Sequence, residues 1–168
     1  MREQKLDSAH IVGHSLGGKV AMEMALTAPA LVQRLVVLDI SPVAYDLHHN
    51  TVFKGLLALN PAEISSRAEA EEALKVHVHE PAVRSFLLKN LARDQGGTFA
   101  WRMNLPVLHA GYADLIRENC VGPAFEGPVL FLKGATSDYI VAGHREAIRK
   151  RFSDVRSKVI ANTGHWLH

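Results

Sequence analysis

Gly13-His14-Ser15-Leu16-Gly17 is preceded by a segment that reads as a short strand, residues 9–12, and followed by a helical pattern from Gly18 to about Ala28. A serine placed between a strand and a helix is typical of a nucleophile elbow, a sharp turn that exposes the hydroxyl. Such a turn presses the residues on either side of the serine against each other, and glycine tolerates this crowding best. We therefore expect Gly13 and Gly17 to be required for the turn.

The chemistry available at this turn is nucleophilic. A serine hydroxyl is a weak nucleophile unless a general base lies beside it, so Ser15 is the candidate nucleophile of a site that must also contain a base. The turn directs the backbone N–H of Leu16 into the space beside the hydroxyl, at the N-terminus of a helix whose dipole favours negative charge. Leu16 N–H is thus the candidate oxyanion donor. A glycine-rich turn before an ordinary helix is the simpler interpretation of the same five residues.

Composition limits the function classes. The chain has 168 residues, 48% of them hydrophobic, which is enough for one globular domain. Its 19 basic and 17 acidic residues are scattered, so nucleic-acid binding has little support. No run reaches the roughly 20 apolar residues that span a bilayer, and residues 1–5 do not lead into a signal peptide. The single cysteine, Cys120, excludes an internal disulfide and suits a reducing compartment, so we expect a cytoplasmic protein.

Apolar runs predict the strands of a parallel sheet. Residues 35–40 and 129–133 read as buried strands and residues 158–160 as a shorter one, with a helix from about Ala142 to Phe152 between the last two. Together with the strand before Ser15, they predict an α/β fold with a parallel half-sheet of about three or four strands and flanking helices. The helix after Ser15 is expected to cover the sheet with one apolar stripe: Val20, Ala21, Met24 and Ala25.

The middle of the chain has a different character. Residues 45–127 contain three or four helical segments and no strong strand, and Ser66-Arg67-Ala68-Glu69 has the pattern of a capping box at a helix start. Because the strand–helix alternation resumes afterwards, we interpret this part as a helical cap inserted into a core made of residues 1–44 and 128–168. An independent helical domain is the alternative.

Ten histidines compete for the role of general base. His165 is the candidate, because a loop directly after the last strand can carry its imidazole over Ser15. His14, beside the serine, is expected to shape the turn and border the substrate site. A metal site at His77 and His79 is disfavoured, and the sequence predicts no metal and no cofactor. Six histidines are assigned to the surface: His48, His49, His77, His79, His144 and His168.

These features together resemble the α/β-hydrolase superfamily: Ser15 in its elbow, a strand ending in Asp39, a helical insertion, and Gly164-His165 after the last strand. Within the superfamily, four stretches resemble the small esterases grouped with abhydrolase domain-containing protein eleven and bacterial short-chain acyl esterases: residues 13–19, 38–42, 99–105 and 164–166. The resemblance covers essentially the whole chain. It implies a serine hydrolase that cleaves carboxylic esters or acyl thioesters, with short acyl chains, through an acyl-enzyme intermediate.

The acid that orients the imidazole has two candidates in the order serine, acid, histidine. In many superfamily members the acid is the third residue after a glycine that ends the strand following the cap. Counted from Gly134, that position is Ser137, and Asp138 comes one residue later. In the resembling branch the aspartate ending the strand before the cap serves, which implies Asp39. We favour Asp39, with Ser137 as a hydrogen-bonding helper, and keep Asp138 as the alternative.

The resemblance also implies that the chain is a fragment. The family has several strands and a loop before the nucleophile strand and a last helix after the position of His168. The loop supplies a second oxyanion donor, and losing one donor typically costs on the order of a hundredfold to a thousandfold in turnover. An open nucleophile-strand edge is a template for pairing. We therefore expect self-association through this edge or weak stability, which a stable monomer with normal turnover would contradict.

The expected partner is a small-molecule acyl ester or thioester, and no nucleic acid and no membrane span are expected. Phe99 and Trp101 are candidates for lining the substrate pocket, although aromatic residues of a helical cap more often belong to its core.

Two alternative functions stay open. One is the same fold with acyl-transfer, perhydrolase or carbon–carbon hydrolase chemistry, which fold alone does not separate. The other is an inactive truncated hydrolase that acts, if at all, by binding.

Overall fold

A computed structural model describes residues 6–167, so the predictions for residues 1–5 and His168 lie outside the described residues. The chain divides into two compact units. The sheet unit contains the described residues up to Tyr45 and from Arg117 onward, and the inserted unit is Asp46–Ile116. Tyr45 and residues 117–127, which were predicted to belong to the insertion, therefore group with the sheet. Within residues 6–167, no helix has the length and apolar character needed to cross a membrane.

Six strands and seven α-helices are described. In chain order they are β1 (Ala9–His14), α1 (Leu16–Thr27), β2 (Val32–Leu38), α2 (Asn50–Ala58), α3 (Arg67–Leu74), α4 (Pro81–Leu87), β3 (Leu91–Arg93), β4 (Phe99–Trp101), α5 (Leu105–Ala110), α6 (Tyr112–Ile116), β5 (Val129–Gly134), α7 (Arg145–Arg151) and β6 (Val155–Ile160). Short 3-10 turns lie at Pro29–Leu31, Pro61–Glu63, Leu88–Asn90 and Ala142–His144.

The sheet unit is built on four parallel strands in the order β1-β2-β5-β6. This confirms the predicted α/β fold and half-sheet. The register pairs His14 with Leu38, Leu38 with Leu132, and Gly134 with Ile160. The strands therefore end at about the same level, and the residues that follow them collect along one edge of the sheet.

Helix α1 covers the sheet with a different stripe from the one predicted. Ala21 and Ala25 are buried as expected, but Val20 is 62% exposed and Met22 is fully buried. The prediction for Val20 was wrong because Gly18 fixes the helix rotation: a Cβ on Gly18 would lie 2.5 Å from Cγ2 of Ile40. The remaining core of the sheet unit includes Leu35, Val37, Phe131, Ile148 and Phe152.

A buried polar network holds the segment after Arg117 against the sheet. The side-chain amide of Asn119 donates to the carbonyl of Lys19 at 2.8 Å and to the carboxylate of Glu23 at 2.9 Å. The Arg151 guanidinium, 2% exposed, donates to the carbonyl of Asn119 at 2.8 Å. The Lys19 ammonium donates to the carbonyls of Val43 and Arg117. Burial, and then the positive charge of Arg151, lowers the pKa of Lys19 to about 8.

The inserted unit is less purely helical than predicted. Strands β3 and β4 pair antiparallel, and the carboxylate of Asp94 closes their turn by accepting the backbone N–H groups of Gly96 and Thr98. The predicted helix start is confirmed, since Ser66 is the N-cap of α3 and its Oγ accepts the N–H of Glu69 at 3.2 Å. The capping box itself is only half formed, because the Glu69 carboxylate accepts the N–H of Ser65, at 2.9 Å, and not that of Ser66. The core of this unit is apolar and includes Leu56, Ala70, Leu74, Leu88, Leu91, Phe99 and Leu105.

Candidate active site

Ser15 occupies a strained turn between β1 and α1. Its backbone has φ 55° and ψ −125°, a conformation that non-glycine residues adopt rarely and at a cost of about 1–3 kcal/mol. The turn needs a glycine at Gly13, where a Cβ would lie 2.3 Å from the carbonyl oxygen of Gly17. The predicted crowding at Gly17 itself was wrong, because a Cβ there would have no atom within 4 Å.

The structure brings Ser15, His165 and Asp39 together. His165 Nε2 lies 3.0 Å from Ser15 Oγ, and His165 Nδ1 lies 2.9 Å from Asp39 Oδ2. An ionised carboxylate only accepts hydrogen bonds, so Nδ1 donates to Asp39. In the neutral ring Nε2 is then the acceptor of the Ser15 hydroxyl proton, which is the tautomer a general base needs.

Asp39, the first residue after β2, is fully buried and anchored on both carboxylate oxygens. Oδ1 accepts a hydrogen bond from the backbone N–H of Gly134 at 3.0 Å. Oδ2 accepts two hydrogen bonds, one from the hydroxyl of Ser137 and one from Nδ1 of His165. Asp138, the alternative acid, is exposed, and the hydrogen bond to the imidazole is made by Asp39 instead. Ser137 thus makes the hydrogen bond to Asp39 that was predicted for it.

The loop that carries His165 is packed tightly against the end of β5. A Cβ on Gly134 would lie 2.0 Å from the carbonyl oxygen of Gly164, the residue before His165. The backbone of Gly164 therefore packs directly against the backbone of Gly134, where no side chain fits. The N–H of Thr136 donates to the carbonyl of Thr163 at 3.0 Å. On the other side, the ring of His14 donates through Nε2 to the carbonyl of His165 at 2.8 Å. His14 therefore holds the backbone of the candidate base.

Aromatic rings surround the imidazole, and the ring that stacks on it, that of Tyr139, was not among the predicted site residues. The Tyr139 ring lies face to face with His165, with centroids 4.1 Å apart and planes 25° apart. The rings of His14 and Trp166 stand at 4.8 and 5.9 Å from it. Tyr139 directly follows Ser137 and Asp138 in the sequence, but no local pattern distinguishes it from any other loop tyrosine.

The remaining predicted site residues are placed as follows. Leu16 is the first residue of α1, so its backbone N–H has no acceptor within the helix. Phe99 and Trp101 belong to the inserted unit: Phe99 is 7% exposed in its core, and Trp101 packs against that core. Trp101, Leu56 and Leu105 also border a cavity of about 330 Å³ in that unit.

The histidines assigned to the surface have mixed environments. His48, His49 and His79 are exposed, although His49 Nδ1 is 2.7 Å from the hydroxyl of Tyr112. His77 is half-buried, and so is His144, whose pKa is lowered by burial. Among the described residues, no group of three or more histidine, cysteine, aspartate and glutamate side chains is arranged to hold a metal ion.

A second cavity, of about 670 Å³, lies in the sheet unit between α7 and β6. Its lining includes Ile148, Val155, Arg145, Arg149 and Arg156, and none of Ser15, Asp39 and His165 contributes to it. The cavity is therefore separate from the candidate active site.

Comparison with known proteins gives consistent similarities. A family model described as alpha/beta hydrolase fold matches residues 1–168. The chain is 33% identical over 166 residues to Esterase YbfF of Escherichia coli, covering 98% of this chain and 63% of that protein. It is 37% identical over 164 residues to the sn-1-specific diacylglycerol lipase ABHD11 of Mus musculus, covering 94% of this chain and 53% of the relative. The chain thus spans less than two thirds of their length.

A solved structure of similar fold is also that of an esterase. A solved structure of a marine microorganism esterase superposes with a TM-score of 0.95 at 33% identity, covering 99% of this chain and 67% of that one.

Proposed function

The chain belongs to the alpha/beta hydrolase fold family, and on this premise we propose that it hydrolyses carboxylic esters through an acyl-enzyme on Ser15. The observation that carries the proposal is the unbroken hydrogen-bonded chain from Ser15 Oγ through the His165 imidazole to the buried carboxylate of Asp39. The relatives named as an esterase and a lipase support esters as the substrate class.

In the first half of the reaction, Ser15 Oγ attacks the acyl carbonyl while its proton passes to His165 Nε2. The imidazole becomes positively charged, and the Asp39 carboxylate, 2.9 Å from Nδ1, stabilises that charge. The Leu16 N–H donates to the carbonyl oxygen as it becomes an oxyanion. His165 then gives its proton to the leaving alcohol, and the acyl group remains on Ser15.

In the second half, water attacks the acyl-enzyme. His165 Nε2 takes a proton from the water and later returns one to Ser15 Oγ, which releases the carboxylic acid. The same two hydrogen bonds serve both halves. One backbone donor accounts for part of the oxyanion stabilisation, since each such donor is typically worth on the order of a hundredfold to a thousandfold in turnover.

The acyl group and leaving group belong to the same proposal. We expect short acyl chains, and acyl thioesters as the second class of substrate. The interpretation of the inserted unit as a cap that limits acyl length stays a prediction. Of the two aromatic residues predicted to line a pocket, Phe99 is buried in the core of its unit and Trp101 is half-buried.

The nucleophile is tested with a fluorophosphonate probe, which reacts with activated serines. We expect one covalent adduct, mapped by mass spectrometry to Ser15 and abolished in Ser15→Ala. Ser157→Ala is the matched control, because Ser157 is an exposed strand serine whose loss should leave labelling intact. A folded sample that takes up no probe, or takes it up equally after Ser15→Ala, would overturn the proposal and favour an inert binding fragment.

The substrate class is tested separately by turnover of p-nitrophenyl esters and acyl thioesters of increasing chain length. Faster cleavage of short esters than of long ones supports the proposal. Labelling of Ser15 without cleavage of any ester would retain the nucleophile but reject ester hydrolysis by this chain.

A further inference from the structure

We propose that the ring of Tyr139 is a face-on platform that stabilises the protonated imidazole of His165, which makes Tyr139 a positioning residue for the reaction. The inference rests on the proposed function, because the protonated imidazole is formed when Ser15 gives up its proton. The observation behind it is the stacked contact, with ring centroids 4.1 Å apart and planes 25° apart.

The stacked geometry favours one protonation state of the base. The face of an aromatic ring carries negative electrostatic potential, so it attracts a cation held within about 6 Å of its centroid. A neutral imidazole gains mainly packing from the same contact. The platform therefore acts more strongly after proton transfer than before it, which is the requirement for an interaction that accelerates a step.

Hydrogen bonds to the backbone of Tyr139 connect it to residues beside Asp39. The Tyr45 hydroxyl donates to the carbonyl of Tyr139 at 2.5 Å and accepts the backbone N–H of Ser41 at 2.7 Å. The N–H of Tyr139 in turn donates to Ser137 Oγ, which contacts Asp39. Burial raises the pKa of Tyr45 to about 12, so its hydroxyl keeps the proton it donates across the working pH range.

Other groups near His165 must be separated from the effect of Tyr139. Asp39 contributes the negative charge at Nδ1, Ser15 the neutral hydroxyl at Nε2, and His14 a second titratable ring at 4.8 Å. Trp166 contacts the imidazole at an interplanar angle of 70°, so its ring is not stacked on the imidazole. A substitution confined to Tyr139 leaves all four groups in place.

The test is an NMR titration of the His165 imidazole in the full chain, compared between wild type, Tyr139→Leu and Tyr139→Phe. Loss of the ring should move the midpoint of the His165 titration to lower pH by roughly half to one pH unit. Tyr139→Phe keeps the ring face and should leave the midpoint unchanged. The exposed His79 serves as the internal reference, because its titration should be the same in all three proteins. An unchanged His165 midpoint in Tyr139→Leu, or an equal fall in both variants, would overturn the inference.

A second series covers the case in which Tyr139→Leu does not fold. Replacing Tyr139 by phenylalanines that carry one, three or five ring fluorines weakens the negative face stepwise at nearly constant size. We expect the His165 midpoint to fall with each step, and a midpoint independent of fluorination would reject the platform. Neither titration needs turnover, so failure of this inference is distinct from failure of fluorophosphonate labelling.

Discussion

Asp39→Asn is the sharpest perturbation of the proposed site, because the Asp39 carboxylate accepts on both oxygens. Oδ1 accepts the N–H of Gly134 at 3.0 Å, and Oδ2 accepts Ser137 and His165. Asparagine has one acceptor oxygen, so its NH₂ must face one of these two sides. The Gly134 N–H is fixed in the backbone and only donates, so the amide oxygen should take that side. The NH₂ then faces His165, which has to present Nδ1 as an acceptor and carry its proton on Nε2.

An imidazole with its proton on Nε2 is unable to accept the Ser15 proton. The wrong tautomer in a serine triad typically costs about 10⁴-fold in rate, and we expect a loss of about 10³- to 10⁴-fold in the second-order rate of fluorophosphonate labelling. The buried charge-assisted hydrogen bonds lost should also lower the free energy of unfolding by about 1–3 kcal/mol, measured by urea denaturation.

Two controls separate the tautomer effect from general damage. Ser137→Ala removes one neutral donor but leaves the carboxylate of Asp39, so labelling should slow only about threefold to tenfold. Asp138→Asn changes an exposed side chain and should leave the rate unchanged. The reasoning is refuted if folded Asp39→Asn is labelled within about tenfold of the wild-type rate, and a large loss in Asp138→Asn would assign the acid to that residue instead.

Three further perturbations test the packing around the site, a buried charge and the sheet edge. Gly134→Ala places a Cβ 2.0 Å from the carbonyl oxygen of Gly164 in the His165 loop and should slow fluorophosphonate labelling at least about tenfold. Gly143→Ala is the control: its Cβ would have no atom within 4 Å, so its labelling rate should match wild type. Lys19 has its pKa lowered by burial from 10.5 to about 8, so the unfolded chain binds more protons between these values. Relative to Lys19→Met, the wild-type free energy of unfolding should rise by about 1–2 kcal/mol from pH 8 to 10, and a fall in urea titrations would contradict this sign. Val12 is 66% exposed on β1, the edge strand of the sheet, and we expect this strand to support self-association. Val12→Lys should therefore shift the chain toward monomer in analytical ultracentrifugation. A wild-type protein that is already monomeric would reject pairing through this edge.

The meeting of Ser15, Asp39 and His165 could be anticipated because each follows a strand in the sequence. In a parallel sheet the carboxyl ends of neighbouring strands share one edge, so residues placed after them meet once the strand order is right. The choice between Asp39 and Asp138 was harder, since both follow strands. The structure places the Asp39 carboxylate, and not that of Asp138, against the imidazole.

Features that depend on helix rotation or long-range contacts were not predictable. Val20, Ala21, Met22 and Ala25 are all apolar, so periodicity does not select which of them face the sheet. The rotation is set by Gly18, whose missing side chain lets α1 approach the end of β2. Strands β3 and β4 have three residues each, too few to show an alternating pattern.

The backbone conformations of Ser15 and Asp39 link the sheet to the chemistry. Both residues have positive φ, 55° and 50°, and each stands directly after a strand. Their backbone N–H groups nevertheless bond to the neighbouring strand, Ser15 to the carbonyl of Leu38 at 3.0 Å and Asp39 to that of Leu132 at 2.8 Å. Each strand therefore adds one more ladder hydrogen bond before the chain turns sharply away. Strained residues persist where the surrounding structure fixes them on several sides, and here the sheet fixes the backbone while His165 joins the two side chains. Pairing between β1, β2 and β5 is thus a condition for the geometry of the site, and a substitution that loosens these strands should weaken nucleophile and acid together.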